Sequence, residues 1–181
     1  MIIYIHGFGG SGDGVKAKLF RDYYENEKFL APTLSYIPAL AVSTLSEIIE
    51  TFIDTEDIKL IGSSLGGYYA IYLANKYSLK AVLLNPSIKP HITLVSLIGN
   101  APSFYDDSYF SCTKEHLNYL QTIKTDILDE SKYFLLVQKG DEVLDYKDAV
   151  NKFHDSKKIV EEDGNHSFVG IEKYFDEIDN F

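Results

Sequence analysis

The sequence predicts an α/β protein with three layers, in which a mostly parallel six-stranded sheet carries helices on both of its faces. Two observations indicate this class. Six short apolar runs, several of them rich in β-branched residues, recur along the chain and are typical of strands buried on both faces. Stretches of about 10–15 residues with helical periodicity lie between most of these runs, and this alternation requires crossover connections between parallel strands.

The first half of the chain follows the alternation closely. Pro32 indicates that the second strand lies at a sheet edge, because proline cannot donate a hydrogen bond to a neighbouring strand. Thr44 and Glu47 fit a capping box that would begin the second helix. The third helix, after residue 64, is apolar nearly all round, which is typical of a buried central helix. The apolar runs predict strands at residues 2–5, 29–36, 58–61 and 81–84.

Residues 86–131 interrupt the alternation, and we expect them to form a helical and loop insertion, a candidate lid, in a single domain of residues 1–181. Apolar spacing predicts a short helix and then a longer one in this segment, on either side of an aromatic loop. The alternation then resumes to the end of the chain. Its elements are strands at 133–138 and 158–160 and helices at 146–153 and 168–178.

Composition excludes several classes of protein. The chain has 181 residues, enough for one ordinary domain, and a formal net charge of −10, which disfavours nucleic acid or an anionic membrane surface as a partner. A single cysteine, Cys112, rules out an internal disulfide framework and suits a reducing compartment. The first residues lack the basic segment of a signal peptide, so we expect a cytoplasmic protein.

A glycine-spaced serine carries the strongest chemical signal. Gly62-Ser63-Ser64-Leu65-Gly66 matches G-x-S-x-G between an apolar strand and a buried helix, the setting of a nucleophile elbow. Ser64 has glycine two residues before and two residues after it, and Ser63 does not. We therefore predict that Ser64 is a catalytic nucleophile.

A serine hydroxyl is a weak nucleophile and needs a base to accept its proton. His166 lies in a loop between the last strand and the last helix, from which it can reach over the sheet edge. His6 follows the first strand beside the same crevice and competes for this role, although a histidine there could equally brace its own loop. We favour His166 as the base.

The base in turn needs a carboxylate that orients the imidazole and stabilises its cation. Asp141 comes soon after the fifth strand, so its side chain should lie at the same sheet edge. Glu142 and Asp145 are rivals, although Asp145 could cap the next helix. The order Ser64, Asp141, His166 is the order associated with the nucleophile elbow.

Stabilising the oxyanion requires two backbone N–H donors, and we assign these to Phe8 and Leu65. Leu65 begins the helix after the nucleophile, and Phe8 lies in the glycine-rich loop after the first strand. Residues 7–12 also match G-x-G-x-x-G, a dinucleotide-binding pattern, but the acidic residue expected about 20 residues later is absent. The Walker-type lysine is absent as well.

The aromatic loop at 104–110 has two interpretations. It is either a packed lid or an apolar wall for an acyl chain, and in the second case Phe104, Tyr105 and Tyr109 bind substrate. No two histidines have the spacing of metal ligands on a helix, so we expect neither a metal nor another cofactor.

Four segments together resemble a known family. On the residues 4–8, 62–69, 140–146 and 166–170 the chain resembles the α/β-hydrolase superfamily, and in particular the YqiA-like (UPF0227) small bacterial esterase family. This resemblance implies a reduced α/β-hydrolase fold that lacks the leading edge strands. It also implies an ester or thioester hydrolase that acts through an acyl-enzyme, with Ser64, Asp141 and His166 as its triad.

We therefore expect a serine esterase that hydrolyses small-molecule carboxylic esters or thioesters, acyl-CoA among them, without a cofactor. Two alternatives stay open: a binding protein of the same fold without turnover, and an acyltransferase with an acceptor other than water. The expected partner is the small-molecule substrate, with no nucleic acid and no membrane span. The sequence leaves the acyl group, the leaving group and the oligomeric state open.

Overall fold

The computed structural model describes residues 1–181 as eight strands and seven α-helices. In chain order these are β1 (Ile2–Ile5), α1 (Val15–Tyr23), β2 (Phe29–Leu30), α2 (Pro38–Phe52), β3 (Lys59–Ser63), α3 (Leu65–Tyr77), β4 (Lys80–Leu84), α4 (Pro90–Thr93), β5 (Gly99–Pro102), β6 (Tyr109–Cys112), α5 (Lys114–Thr122), β7 (Tyr133–Gln138), α6 (Tyr146–Lys152), β8 (Lys157–Glu161) and α7 (Phe175–Asp179). None of the helices combines the length and the apolar character that crossing a membrane would demand.

Six of the strands form one sheet in the order β2-β1-β3-β4-β7-β8, and every neighbouring pair is parallel. The predicted six-stranded sheet is therefore confirmed. The chain starts in the interior of the sheet, moves outward to β2 and then crosses back to β3. Because the direction of winding reverses between β1 and β3, their carboxyl ends border the crevice where parallel sheets bind ligands.

Alternate residues of each strand face two different apolar layers. On β1, Ile3 and Ile5 join the larger layer, which packs against α2, α3, α5 and α6, whereas Ile2 and Tyr4 join the smaller layer under α1 and α7. Both faces of the sheet are thus covered, which explains why its strands are continuously apolar in sequence. The result is the predicted arrangement of helix layer, sheet and helix layer.

Two predictions for the first half of the chain were wrong in detail. Helix α2 begins at Pro38 and not at Thr44, so the predicted capping box with Glu47 does not form. Proline suits the first turn of a helix, because its φ is already helical and its missing N–H has no helical partner there. Strand β2 is only Phe29–Leu30, much shorter than predicted. Pro32, two residues after the end of β2, has no N–H that could continue the hydrogen bonding to β1.

The insertion holds an antiparallel hairpin, β5–β6, that the sequence did not predict. The longer of the two helices predicted there is Lys114–Thr122 and ends earlier than expected. The terminal helix was also predicted to be too long. Phe168 and Gly170 have φ values of 53° and 75°, which an α-helix does not allow, so a 3₁₀ turn and the short α7 replace it.

A pair of leucine substitutions tests the assignment of the core. Leu60 on β3 is fully buried, whereas Leu40 on α2 is 53% exposed. Leu60→Ala should lower the free energy of unfolding by about 2–5 kcal/mol, because it leaves a cavity in the larger apolar layer. Leu40→Ala should change it by less than about 0.5 kcal/mol. Urea denaturation of both variants measures the difference, and equal losses would contradict the assignment.

Candidate active site

Ser64 occupies a sharp turn between β3 and α3. Its backbone has φ 54° and ψ −119°, a conformation that is strained for a residue with a side chain. The two glycines around it leave room for this turn. A Cβ at Gly66 would lie 2.0 Å from the carbonyl oxygen of Ile5, and a Cβ at Gly62 would lie 2.4 Å from that of Gly66. The glycine spacing of the motif is therefore required by the packing of α3 against the sheet.

The structure brings Ser64, His166 and Asp141 together at the carboxyl edge of the sheet. The His166 Nε2 atom lies 2.9 Å from the Ser64 Oγ atom, and His166 Nδ1 lies 3.0 and 2.9 Å from the two oxygens of Asp141. These residues follow β3, β8 and β7, so parallel strands deliver all three side chains to one edge. The Asp141 side chain is only 2% exposed, compared with 22% for His166.

Asp141 is held as a carboxylate by its hydrogen bonds. Burial on its own would raise the pKa of Asp141, but the bond from His166 and the N–H groups of Val143 and Leu144, each at 2.8 Å, lower it below its usual value. A carboxylate with both backbone donors and the imidazole in place can orient the ring and stabilise its cation.

The two rival carboxylates have other partners. Glu142 accepts a hydrogen bond at 3.0 Å from the backbone N–H of His166, not from its ring. Asp145 caps α6 by accepting a bond at 3.0 Å from the N–H of Lys147, the alternative that its sequence position suggested. Asp141 alone of the three contacts the imidazole.

Side chains that sequence reasoning did not select hold the loop that carries His166. Asn85 donates to the carbonyl oxygens of Asn165 at 2.9 Å and His166 at 3.3 Å. Gln138 accepts from the N–H of Asn165 at 3.0 Å and donates to the carbonyl of Val169 at 2.8 Å. Asn85 and Gln138 lie at the carboxyl ends of β4 and β7. Residues at the carboxyl ends of parallel strands meet at one sheet edge, and this reasoning, which identified Asp141, could also have identified them.

Lys16 on α1 supports the same loop from the other side. Its ammonium group donates a hydrogen bond at 2.7 Å to the carbonyl oxygen of Ser167. Burial lowers the pKa of Lys16 to about 8, although the attraction of Asp141 works in the opposite direction. No local pattern marks this lysine, because its partner lies 151 residues away in the sequence.

The backbone N–H groups of Phe8 and Leu65 have no hydrogen-bond acceptor within the chain. Leu65 is the first residue of α3, where the helix dipole favours negative charge. The loop that carries Phe8 runs beside the serine, since a Cβ on Gly7 would lie 3.1 Å from the Cβ of Ser64. Both groups are thus available to bind an anionic oxygen.

His6 does not contact the serine. Its Nε2 accepts a hydrogen bond at 2.9 Å from the N–H of Leu34, and its Nδ1 lies 2.8 Å from the carbonyl oxygen of Gly7. These partners require a neutral ring with the proton on Nδ1. Burial lowers the pKa of His6, although the bond to Gly7 opposes this change. His6 therefore braces its own loop against the segment after β2.

A cavity of about 290 Å³ opens next to the free N–H groups, between the loop after β1, the β2–α2 connection and the hairpin. Phe8 and Leu65 both line it. Of the three predicted substrate-binding residues, Tyr105 and Tyr109 line the cavity, whereas Phe104 lies outside it and is 70% exposed.

The hairpin is attached to the loop after β1. The N–H of Phe104 donates a hydrogen bond at 2.8 Å to the carbonyl oxygen of Gly9. The ring of Phe110 packs against Phe8, with centroids 5.2 Å apart, and stacks on Tyr36, with centroids 4.8 Å apart. The hairpin is therefore a wall that contacts the residue carrying one free N–H.

One group of potential metal ligands lies elsewhere, on the surface. Atoms of Glu130, His154 and Asp155 lie within 4.8 Å of one another. A carboxylate oxygen of Glu130 already accepts a hydrogen bond at 2.6 Å from the backbone N–H of Asp155. His154 and Asp155 are both exposed, so the group is explained by local turn contacts without an ion.

Comparisons with known proteins agree on the fold. The model of the uncharacterised protein family UPF0227 matches residues 1–181. A UPF0227 protein from Citrobacter koseri is 24% identical and aligns over 100% of this chain and 98% of its own. Est1E from Butyrivibrio proteoclasticus with bound ferulic acid has a TM-score of 0.70 at 14% identity, covering 99% of this chain and 86% of its own. Mouse alpha/beta hydrolase domain-containing protein 10 has a TM-score of 0.70 at 15% identity, with coverages of 99% and 89%. The fold is that of the α/β hydrolases.

The neutral state of His6 predicts a pH-dependent stability. Because its pKa is lowered from 6.5 in the folded protein, the unfolded chain binds the extra proton more readily. Neutral His6 therefore contributes its full stabilisation of the fold above pH 6.5. This stabilisation is lost as the pH falls towards the pKa of His6 in the folded protein. Between about pH 7 and pH 5, the wild-type free energy of unfolding should fall more steeply than that of His6→Gln.

Urea denaturation at both pH values measures this difference. His154→Gln is the matched control, because it removes an exposed histidine. If the pH dependence of His6→Gln matched that of the wild type, the neutral tautomer of His6 would be contradicted.

Proposed function

This chain belongs to the UPF0227 family, and we propose that it is a serine esterase that hydrolyses small-molecule carboxylic esters or thioesters. The observation that carries the proposal is the unbroken hydrogen-bonded chain from Ser64 through His166 to Asp141. The α/β-hydrolase fold and its similarity to the esterase domain of a Rhodothermus marinus protein support the same class of chemistry.

In the first step, His166 acts as a general base. Its Nε2 accepts the proton of the Ser64 hydroxyl as the Oγ atom attacks the acyl carbonyl carbon. Asp141 accepts the Nδ1 proton in a hydrogen bond, which keeps the Nε2 lone pair directed at the serine and stabilises the imidazolium. The separation of 2.9 Å between Nε2 and Oγ is within range for direct proton transfer.

The carbonyl oxygen becomes an oxyanion as the bond forms, and the N–H groups of Phe8 and Leu65 stabilise it. His166 then returns the proton to the leaving group, which departs as an alcohol or thiol and leaves an acyl-Ser64 ester. In the second half, His166 takes a proton from water as the water oxygen attacks the acyl carbon. The bond between that carbon and Ser64 Oγ then breaks, His166 returns its proton to Oγ, and the carboxylic acid leaves.

Two alternative functions differ in the acyl-enzyme. An acyltransferase would form the same acyl-enzyme, whereas a binding protein without turnover would not form it. Reaction of Ser64 with a fluorophosphonate separates the silent binding protein from an enzyme, because only an activated serine is phosphonylated. Product analysis with an added alcohol or thiol separates hydrolysis from transfer. Nothing in the described site favours an acceptor over water, so hydrolysis is the proposed reaction.

Substitution of the nucleophile tests the proposal. Ser64→Ala should lower kcat for a p-nitrophenyl acyl ester by roughly a thousandfold or more, because the members of such a triad act as a unit. Circular dichroism should show an unchanged fold. The rate of p-nitrophenol release, together with mass spectrometry of the fluorophosphonate adduct, measures the effect.

Ser63→Ala is the matched control, because Ser63 is the buried last residue of β3, directly before Ser64. This variant should keep both turnover and labelling. Wild-type turnover by the folded Ser64→Ala protein would contradict the proposed role of Ser64.

A further inference from the structure

The cavity borders the two free N–H groups, those of Phe8 and Leu65. The proposed mechanism requires the leaving group to face His166, which protonates it. Phe8 and Leu65, the proposed oxyanion donors, line the cavity, whereas none of the three proposed triad residues does. A carbonyl group held by those two N–H groups, with its leaving group towards His166, therefore directs its acyl chain into the cavity.

The cavity wall has an unusual composition. Six of the residues that line it are aromatic: Phe8, Tyr36, Tyr69, Tyr105, Tyr109 and Phe110. No lysine or arginine lines it, and its one charged side chain is the carboxylate of Asp106. His6, which also lines it, is neutral. The wall thus offers aromatic rings and one negative charge, and no positive charge that could pair with an anion.

Asp106 is held in place at the turn of the hairpin. It accepts hydrogen bonds from the backbone N–H of Ser108 at 3.2 Å and from its hydroxyl at 2.7 Å. The hydrogen bonds from the hydroxyl groups of Ser103 and Ser108 lower the pKa of Asp106, so the group is ionised at neutral pH. The carboxylate therefore lies on the solvent-exposed rim of the aromatic cavity, oriented by its own turn.

We propose that this cavity selects acyl groups that carry a cationic ammonium substituent. Aromatic faces attract ammonium groups through their quadrupoles, and a nearby carboxylate adds a Coulombic attraction. The same surface disfavours an acyl group that ends in a carboxylate. The assignment to the acyl group rests on the proposed esterase function, whereas the selection for a cation follows from the wall itself.

A pair of isosteric substrates tests the selection. One is the p-nitrophenyl ester of gamma-trimethylammoniobutyrate, and the other has a neutral tert-butyl group in place of the trimethylammonium group. Calorimetry with Ser64→Ala measures binding without turnover. The cationic ester should bind roughly tenfold more tightly at low salt, and added salt should reduce this ratio. Equal or weaker binding of the cationic ester would overturn the proposal.

Two substitutions on the same turn locate the effect. Asp106→Asn keeps the acceptor for Ser108 and removes the charge, so the ratio of the two affinities should fall about threefold or more. Asp107→Asn removes the neighbouring charge, which does not line the cavity, and should change the ratio less than twofold. Equal effects of the two substitutions would show attraction by net charge alone and would overturn the proposal.

Turnover separates this proposal from the esterase function. If the wild type hydrolysed the neutral ester but Ser64→Ala bound both esters equally, the esterase function would be supported and the preference for a cation would be overturned. If Ser64→Ala preferred the cationic ester but the wild type hydrolysed neither ester, the preference would be supported and the esterase function would be overturned.

Discussion

The close packing of α3 against the carboxyl ends of β1 and β3 is the constraint on which the whole site depends. It forces Ser64 into a strained turn, and only residues without a side chain fit on either side of that turn. The same contact puts the first N–H of the helix beside the loop that carries Phe8. One packing requirement thus places the candidate nucleophile and both free N–H groups, before any polar side chain is considered.

The remaining parts of the site are held by polar side chains at the edge of the sheet. Asn85, Gln138 and Lys16 satisfy the backbone groups of the loop that carries His166, so a loop without regular structure has a defined conformation. If the imidazole ring of His166 shifted by about an ångström, it would lose its hydrogen bond either to Ser64 or to Asp141. The position of His166 is fixed because several separate elements of the fold bind the one short loop that carries it.

Much of this arrangement could be predicted from the sequence. Buried parallel strands are continuous apolar runs, and the residues that follow them meet at one edge, which is why Ser64, Asp141 and His166 could be grouped. The hairpin could not be predicted, because Gly99–Pro102 consists mostly of residues that are poor strand formers. The contact of Lys16 with Ser167 could not be predicted for a different reason, since packing between residues far apart in the sequence leaves no local periodicity.

The two strands of the hairpin pair only with each other, and the six-stranded parallel sheet is continuous without them. Changes in its length or composition therefore leave the strand order and the elbow untouched. Under the proposed function, descendants of such a chain can acquire a different acyl specificity by exchanging about a dozen hairpin residues. The proposed specificity wall can then evolve without changing the turn that carries Ser64.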